Sequence, residues 1–418
     1  MNVLHINISD INGGAARATY RLHKGLENIG VKSQLLVQEK YSDDKMVIAP
    51  TIKLSQGIAR AKQSIDALPL KFYHKRIGST FSPQWLPDKV VSNVTQIAPN
   101  VINMHWTNGA FMQIETVTKL KRPLVWTLHD MWAFTGGCHY SGECDRYTLS
   151  CGACPQLGSN KNWDLSHWIW QRKAKAWKNV NFTIVALSSW MAQSISSSPL
   201  FKESRIELIP NGLDTEKYKP INKQLARELL HLPQDKQLIL FGALKATSDK
   251  RKGFHLLQTA LQELSKTEWR EHLELVVFGA SQPTNPVDFG FRTHYLGHLH
   301  DDISLALVYS AADVMVIPSI QESFGQTASE SLACGKPVVA FNTTGLKDIV
   351  EHQQNGYLAQ PFKIEDLAQG ITWVLENQER YQKLSHRARE KVEQEFTTEI
   401  QANRYLSLYT DVLKKVTR

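Results

Sequence analysis

A short apolar run, a polar turn, a helix and a second apolar run follow one another between Asp313 and Phe341. Val314-Met315-Val316-Ile317 is short enough to be a buried strand, and Pro318 closes it. Ser329 to Cys334 reads as helix, stopped by Gly335-Lys336-Pro337, and Val338-Val339-Ala340-Phe341 is a second buried strand. Two strands joined through a helix make a βαβ unit, which commits the surrounding chain to a parallel sheet covered on both faces. Similar apolar runs recur at Val3–Ile8, Ser33–Gln38, Val101–Trp106, Leu124–His129, Phe182–Leu187, Gln237–Phe241 and Glu274–Phe278, with helical stretches between them. A chain of 418 residues is too long for one ordinary domain. The expected class is therefore α/β, with two doubly wound Rossmann-like domains and a cleft between them.

In such sheets the turns at the carboxyl ends of the strands bind ligands. The turn Ser319–Gly325 is one of them. Glu322 lies within it, Gly325 permits close backbone approach, and the N–H groups near Phe324 and Gly325 are placed to meet an anion. Glu330 follows eight residues later, about two helical turns on, where it could accept hydrogen bonds from two neighbouring hydroxyls. The alternative is two solvated glutamates, the commoner fate of that residue.

Glu322 to Glu330 matches the E-x7-E signature of retaining glycosyltransferases. The block 295–359, from "YLGHLHDD" through "SIQESFGQTASESLACGKPVVAF" to "GYLA", resembles the donor-binding region of glycosyltransferase family 4. Further matches extend the resemblance over most of the chain. Gly13-Gly14 resembles the amino-terminal glycine loop that faces the donor phosphates. Trp126-Thr127-Leu128-His129-Asp130 resembles the T-x-H-D position, whose histidine approaches the transferred sugar. Arg205 to Asp214 resembles the I-P-N-G-V-D segment, and Arg251-Lys252-Gly253 the R-K-G element whose lysine contacts the diphosphate.

The resemblance implies a GT-B fold. Residues 1–203 would form the acceptor-side domain and 204–395 the nucleotide-sugar domain, with a terminal helix at 396–418 crossing back to the first. It implies transfer of a sugar from a nucleoside-diphosphate sugar, UDP- or GDP-linked, to a glycan or lipid-linked acceptor, with anomeric configuration retained and no cofactor required. His129, Glu322 and Lys252 would be catalytic. Gly13, Gly14, Arg251, Lys252, Ser323, Phe324, Gly325 and Glu330 would hold the donor, and the main chain at Leu299 would meet the base. Asp130 would orient the His129 imidazole or meet the acceptor. One position departs from the pattern: Ala243 stands where the family usually has an arginine, with Arg251 or Lys245 as substitutes. A phosphorylase using pyridoxal phosphate, a nucleotide-sugar epimerase and a non-catalytic sugar-nucleotide sensor are the competing classes.

One feature lies outside the family pattern. Cys138, Cys144, Cys151 and Cys154 follow as C-x5-C-x6-C-x2-C, close enough to wrap one tetrahedral structural zinc, with His139 as a spare ligand. Free thiols or a redox pair are the other readings. The net charge of +8 owes much to residues 51–90, where Lys53, Arg60, Lys62, Lys71, Lys75, Arg76 and Lys89 face only Asp66 and Asp88. Apolar residues run through the same segment (Ile52, Leu54, Ile58, Ile65, Leu68, Leu70, Phe72, Tyr73), so it reads either as a basic amphipathic helix suited to an anionic membrane rather than to nucleic acid, or as a solvated helix flanking the core. With no long apolar span and no signal-peptide pattern, the expected location is cytoplasmic, peripheral on the inner membrane face.

Overall fold

The computed structural model describes residues 1–49, 53–242, 249–284, 287–299 and 301–416. Ile52, Ala243 and Lys245 lie outside them, as do the side chains of Lys53, Leu54, Ile58 and Arg60. The chain divides into two compact units, Met1–Pro210 with Gln401–Arg418, and Asn211–Ile400.

The first unit is built on a seven-stranded parallel sheet. Its strands are β1 (Asn2–Ser9), β2 (Lys32–Glu39), β3 (Val47–Ile48), β4 (Val101–Met104), β5 (Leu124–Leu128), β6 (Phe182–Ala186) and β7 (Arg205–Leu208), in the order β3-β2-β1-β4-β5-β6-β7. The order reverses direction between β1 and β4. Alternate residues serve opposite faces, as strand geometry requires. Leu4, Ile6, Ile102, Met104 and Trp126 enter one core, while Val3, Val101, Val125 and Val185 enter the other. That second core is closed by helix α1 (Gly14–Asn28), through Leu22 and Leu26, and by the final helix Thr398–Val416, through Tyr405, Leu408, Tyr409 and Val412. Two polar contacts fix the register of the final helix: Asn103 Nδ2 donates to Tyr409 Oη at 2.7 Å, and Thr127 Oγ1 lies 2.9 Å from Tyr405 Oη.

The second unit carries a six-stranded parallel sheet of β8 (Gln237–Gly242), β9 (Leu273–Phe278), β10 (Thr293–Tyr295), β11 (Val314–Ile317), β12 (Val338–Phe341) and β13 (Gly356–Ala359). Its order, β10-β9-β8-β11-β12-β13, reverses between β8 and β11.

Two expected boundaries move. The first domain does not end at residue 203. Arg205–Leu208 pairs in parallel with β6 as the edge strand of the first sheet, so the division falls between Pro210 and Asn211. The last helix begins at Thr398, because Phe396 ends the preceding helix Gln378–Glu395 with its N–H on the Val392 carbonyl. The tryptophan-rich helix of the first unit runs Leu165–Trp177, where the Asp164 carboxylate caps Ser166 and His167. Within it Trp170 and Trp177 are packed and Trp168 is about half exposed, while Trp163 ahead of it is largely exposed.

Candidate functional site

In the second unit, three loops at the carboxyl end of the sheet are tied together at the reversal point. The turn Lys250–Lys252 follows β8 and leads into helix α2' of that unit, Phe254–Leu264. Gly253 joins the two at φ 72, with so little space that a Cβ there would lie 1.8 Å from the Pro318 carbonyl oxygen. Only glycine lets this turn lie against the end of β11. Ile320 N donates to the Arg251 carbonyl at 2.8 Å, and Arg251 Nη1 returns a bond of 2.7 Å to the Gln321 carbonyl. From the third loop, after β12, Thr344 Oγ1 accepts from Glu322 N at 3.0 Å and Gly345 N donates to the Glu322 carbonyl at 3.0 Å. Thr344 holds a left-handed φ of 47, local strain of the kind that collects at functional sites.

These ties place Glu322 against two cations, with Lys252 Nζ at 2.6 Å and Arg251 Nη1 at 3.5 Å. Burial alone would push the Glu322 carboxyl up, but Lys252 and then Arg251 outweigh it and hold the group below its ordinary range. Asp249 takes a second ion pair from Arg251 at 3.0 Å. Ser323 and Phe324 are buried beside Glu322, and Gly325, at φ 114, is the N-cap of the helix Gln326–Ala333. A glycine cap offers no side-chain acceptor, so the helix start favours an anion. Glu330 is buried on that helix and accepts from Tyr309 Oη at 2.9 Å. Leu299 is half-buried after the strand β10, beyond the Gly279 N to Gly297 carbonyl bond of 2.7 Å.

In the first unit, Gly13 takes φ 101 between β1 and α1, with open space around it; the backbone angle, not crowding, calls for glycine there. The Asp10 carboxylate holds the loop by accepting from the N–H groups of Ile11, Tyr41 and Ser42 at 2.8–3.1 Å. His129 follows β5, next to the strand that ends in Met104. Its Nε2 lies 3.0 Å from His105 Nδ1, and His105 Nε2 lies 2.9 Å from His5 Nδ1. All three rings are buried. Burial drives the His129 imidazole down to about 4 against an opposing pull from Asp130, and it drives His5 and His105 well down as well. At neutral pH the row is uncharged.

Of the two readings of Asp130, orienting the His129 ring is not the one its hydrogen bonds serve. Its Oδ2 pairs with His139 Nδ1 at 2.6 Å and accepts from Trp106 Nε1 at 2.6 Å, while Oδ1 accepts from Trp132 N at 2.9 Å. Burial opposes its ionisation, but the His139 ring and these donors outweigh it and keep the carboxyl low. His139 in turn is no spare metal ligand: its second nitrogen, Nε2, is 2.8 Å from Ser82 Oγ, so both ring nitrogens are engaged. Cys138, Cys144, Cys151 and Cys154 are free of disulfides and line one small cavity. Burial raises the thiols of Cys138, Cys151 and Cys154, which argues against a reactive redox pair.

His5, His105, Asp10 and Tyr309 are the polar residues that sequence patterning missed. The available signal was their type: His5 and Asn7 interrupt an otherwise apolar strand, and His105 follows β4 much as His129 follows β5.

Two family models match the chain: "Glycosyltransferase Family 4" over residues 12–217 and "Glycosyl transferases group 1" over residues 223–391. A capsular polysaccharide biosynthesis glycosyltransferase, CapM of Staphylococcus aureus, is 26% identical over 244 residues, 56% of this chain and 62% of that one. WcaC of Escherichia coli, named as a candidate colanic acid biosynthesis glycosyl transferase, is 22% identical over 377 residues, 84% of this chain and 85% of that one. The matches to CapM and to the D-inositol 3-phosphate glycosyltransferases thus span less than two thirds of those relatives. Among solved structures, sucrose-phosphate synthase from Thermosynechococcus elongatus superposes with a TM-score of 0.69 at 18% identity, covering 99% of this chain and 100% of that one. Anabaena HepE, solved with UDP and glucose, gives 0.65 at 17% identity, covering 98% and 99%. At those identities the likeness concerns the fold.

Proposed function

The chain belongs to glycosyltransferase family 4, and from that premise we propose that it moves a sugar from a nucleoside-diphosphate sugar to an acceptor hydroxyl with retention, in bacterial polysaccharide or lipid-linked glycan assembly. The observation that carries this reading is the Glu322–Lys252–Arg251 cluster at the reversal point of the second sheet. Breaking a sugar–phosphate bond builds negative charge on the diphosphate. Lys252, Arg251 and the helix start at Gly325 are fixed donors for that charge, and preorganised donors of this kind commonly supply the largest share of catalysis. Lys252 would exchange part of its contact with Glu322 for a phosphate oxygen. Glu322, kept ionised by the same cations, would then bind sugar hydroxyls. Glu330 would accept from the ribose and His129 would approach the transferred sugar. No metal takes part in these steps. UDP is the first donor nucleotide to try, because HepE was solved with it.

The donor site is tested by calorimetry with UDP, GDP and ADP on the intact chain and on Lys252→Met and Glu330→Ala. Loss of a charged hydrogen bond of about 1.5–3 kcal/mol should weaken binding roughly 10- to 150-fold. Wild-type affinity for one nucleotide in both variants would remove the basis of the assignment. Release of nucleoside diphosphate only when acceptor is added separates a transferase from a binder.

No helix of the described residues is long and apolar enough to cross a membrane. We place the enzyme at the cytoplasmic membrane face, held by the surface around Leu68, Phe72 and Ile77. Phe72 is 85% exposed, and Lys71, Lys75 and Arg76 flank it.

A further inference from the structure

We propose that Cys138, Cys144, Cys151 and Cys154 form a tetrahedral structural zinc site that holds the loop between β5 and the helix Leu165–Trp177. The site stands whether or not the chain transfers sugar. All four cysteines line a single cavity of ≈ 20 Å³, large enough for one water-sized sphere. They converge although the chain between Thr135 and Asp164 has no strand and only two three-residue helical turns, Arg146–Thr148 and Pro155–Leu157. A loop that long with so little regular structure needs another source of order.

The backbone is bent where the cysteines line the cavity. Cys151, Gly152 and Ala153 take successive left-handed φ values of 53, 110 and 42, a conformation costly for the two non-glycine residues. A Cβ at Gly152 would lie 2.2 Å from the Asn162 carbonyl oxygen, and one at Gly136 would lie 2.9 Å from Cys151 Cβ. Peptide N–H groups are aimed at the sulfurs. Gly136 N donates to Cys151 Sγ at 3.1 Å, and the N–H groups of Leu157 and Gln156 bond Cys154. Donors in those places stabilise thiolate rather than thiol.

Lys173 supplies an independent reason. Its amino group is wholly buried, bonded to the carbonyls of Trp132 and Thr135 and 3.5 Å from the centre of the Trp132 ring, and burial pushes its pKa well down. Cys138 and Cys151 are within electrostatic range of it, together with Asp130. Four thiolates around one Zn²⁺ carry a net charge of −2 and would favour an ammonium at this position, against its burial. Ligation exchanges four S–H protons, released to solvent, for four Zn–S bonds of about 2.3 Å. No three of the four sulfurs lie mutually within 4.8 Å, so ligation would draw the thiols inward. Among the described residues, the group with three ligand atoms mutually within 4.8 Å is His23, Glu27 and Asp44, where Lys24 Nζ already bonds both carboxylates.

The consequence reaches the end of β5. His139 is bonded directly to Cys138 in sequence, and its ring clamps Asp130 and Ser82. Zinc would therefore fix the Asp130–His139 pair through one residue.

The test uses the full chain, purified without chelator from zinc-supplemented cells. Metal analysis should find one zinc per chain, and a mercurial should release it as the four ligand thiols react. Cobalt substitution of the native chain should give the strong visible bands and sulfur-to-metal charge transfer of a tetrahedral tetrathiolate. Cys151→Ser should lose metal, while Cys334→Ser, buried in the other unit, should keep it. If Cys151→Ser does not fold, the cobalt spectrum of the wild-type chain decides alone. Zinc-free protein in which all five thiols titrate in denaturant, fewer than five thiols without reductant, or an octahedral cobalt spectrum would each overturn the site.

Discussion

Acidification should destabilise the first unit through His129, by an amount the structure allows to be worked out. The imidazole titrates near 6.5 when unfolded and at about 4 when folded, because burial penalises its charge. The folded-state value is depressed. The stabilising contribution of the neutral ring is therefore complete above about pH 6.5 and is lost as pH falls toward about 4. The full span is about 2.5 units, or about 3.4 kcal/mol, of which about 2.6 kcal/mol is lost by pH 4.5. His5 and His105 shift in the same direction and steepen the loss. The assay is urea unfolding at pH 7.5 and 4.5, followed by tryptophan fluorescence. All of the 11 tryptophans except Trp269 and Trp373 belong to the first unit, so the signal reports the unit that holds the histidines. His129→Gln removes the titration and keeps a hydrogen-bonding side chain. The pH-induced loss should shrink by about 2.6 kcal/mol in that variant. Equal pH dependence in the two proteins would refute the buried neutral imidazole.

Gly253→Ala forces a Cβ toward the Pro318 carbonyl at a left-handed φ; it should lower stability by more than about 1 kcal/mol and weaken nucleotide binding, read by thermal melting and calorimetry. Asp313→Ala leaves Arg227 buried without the carboxylate now 2.6 Å away, and should cost about 3–5 kcal/mol in urea unfolding. Phe72→Ser combined with Lys71, Lys75 and Arg76 to Gln should abolish cosedimentation with anionic vesicles while leaving turnover of a soluble acceptor intact; undiminished sedimentation would remove the membrane surface from the proposal.

The sheets were legible because buried parallel strands are continuous apolar runs, and β8, β11 and β12 stand out as such. The turn bearing Glu322 was legible because strand, turn and helix signals follow without a gap. Strand β7 was not: only partly buried at a sheet edge, Arg205–Leu208 lacks the apolar run that marks a central strand and reads with the segment that follows it as the start of the second domain. The row from His5 to His129 was hidden for a different reason. Residues 5, 105 and 129 become neighbours only when β1, β4 and β5 lie side by side, and strand order is a property of the whole sheet. For Asp130 the sequence left two readings, orienting the neighbouring histidine or meeting the acceptor, and the fold pairs it with His139 across the turn.

The histidine row has a direction. A neutral imidazole owns one N–H, so His105 can donate to His129 or to His5, not to both. If it donates to His5, the proton of His5 is forced onto Nε2, a buried atom with no hydrogen-bond partner. If it donates to His129, only a lone pair is left bare there, the less costly outcome. Three tautomers are thus set together, and His129 carries its proton on Nδ1, as a donor. What that ring would offer a sugar under the proposed function is decided two strands away, at a residue in the middle of β1.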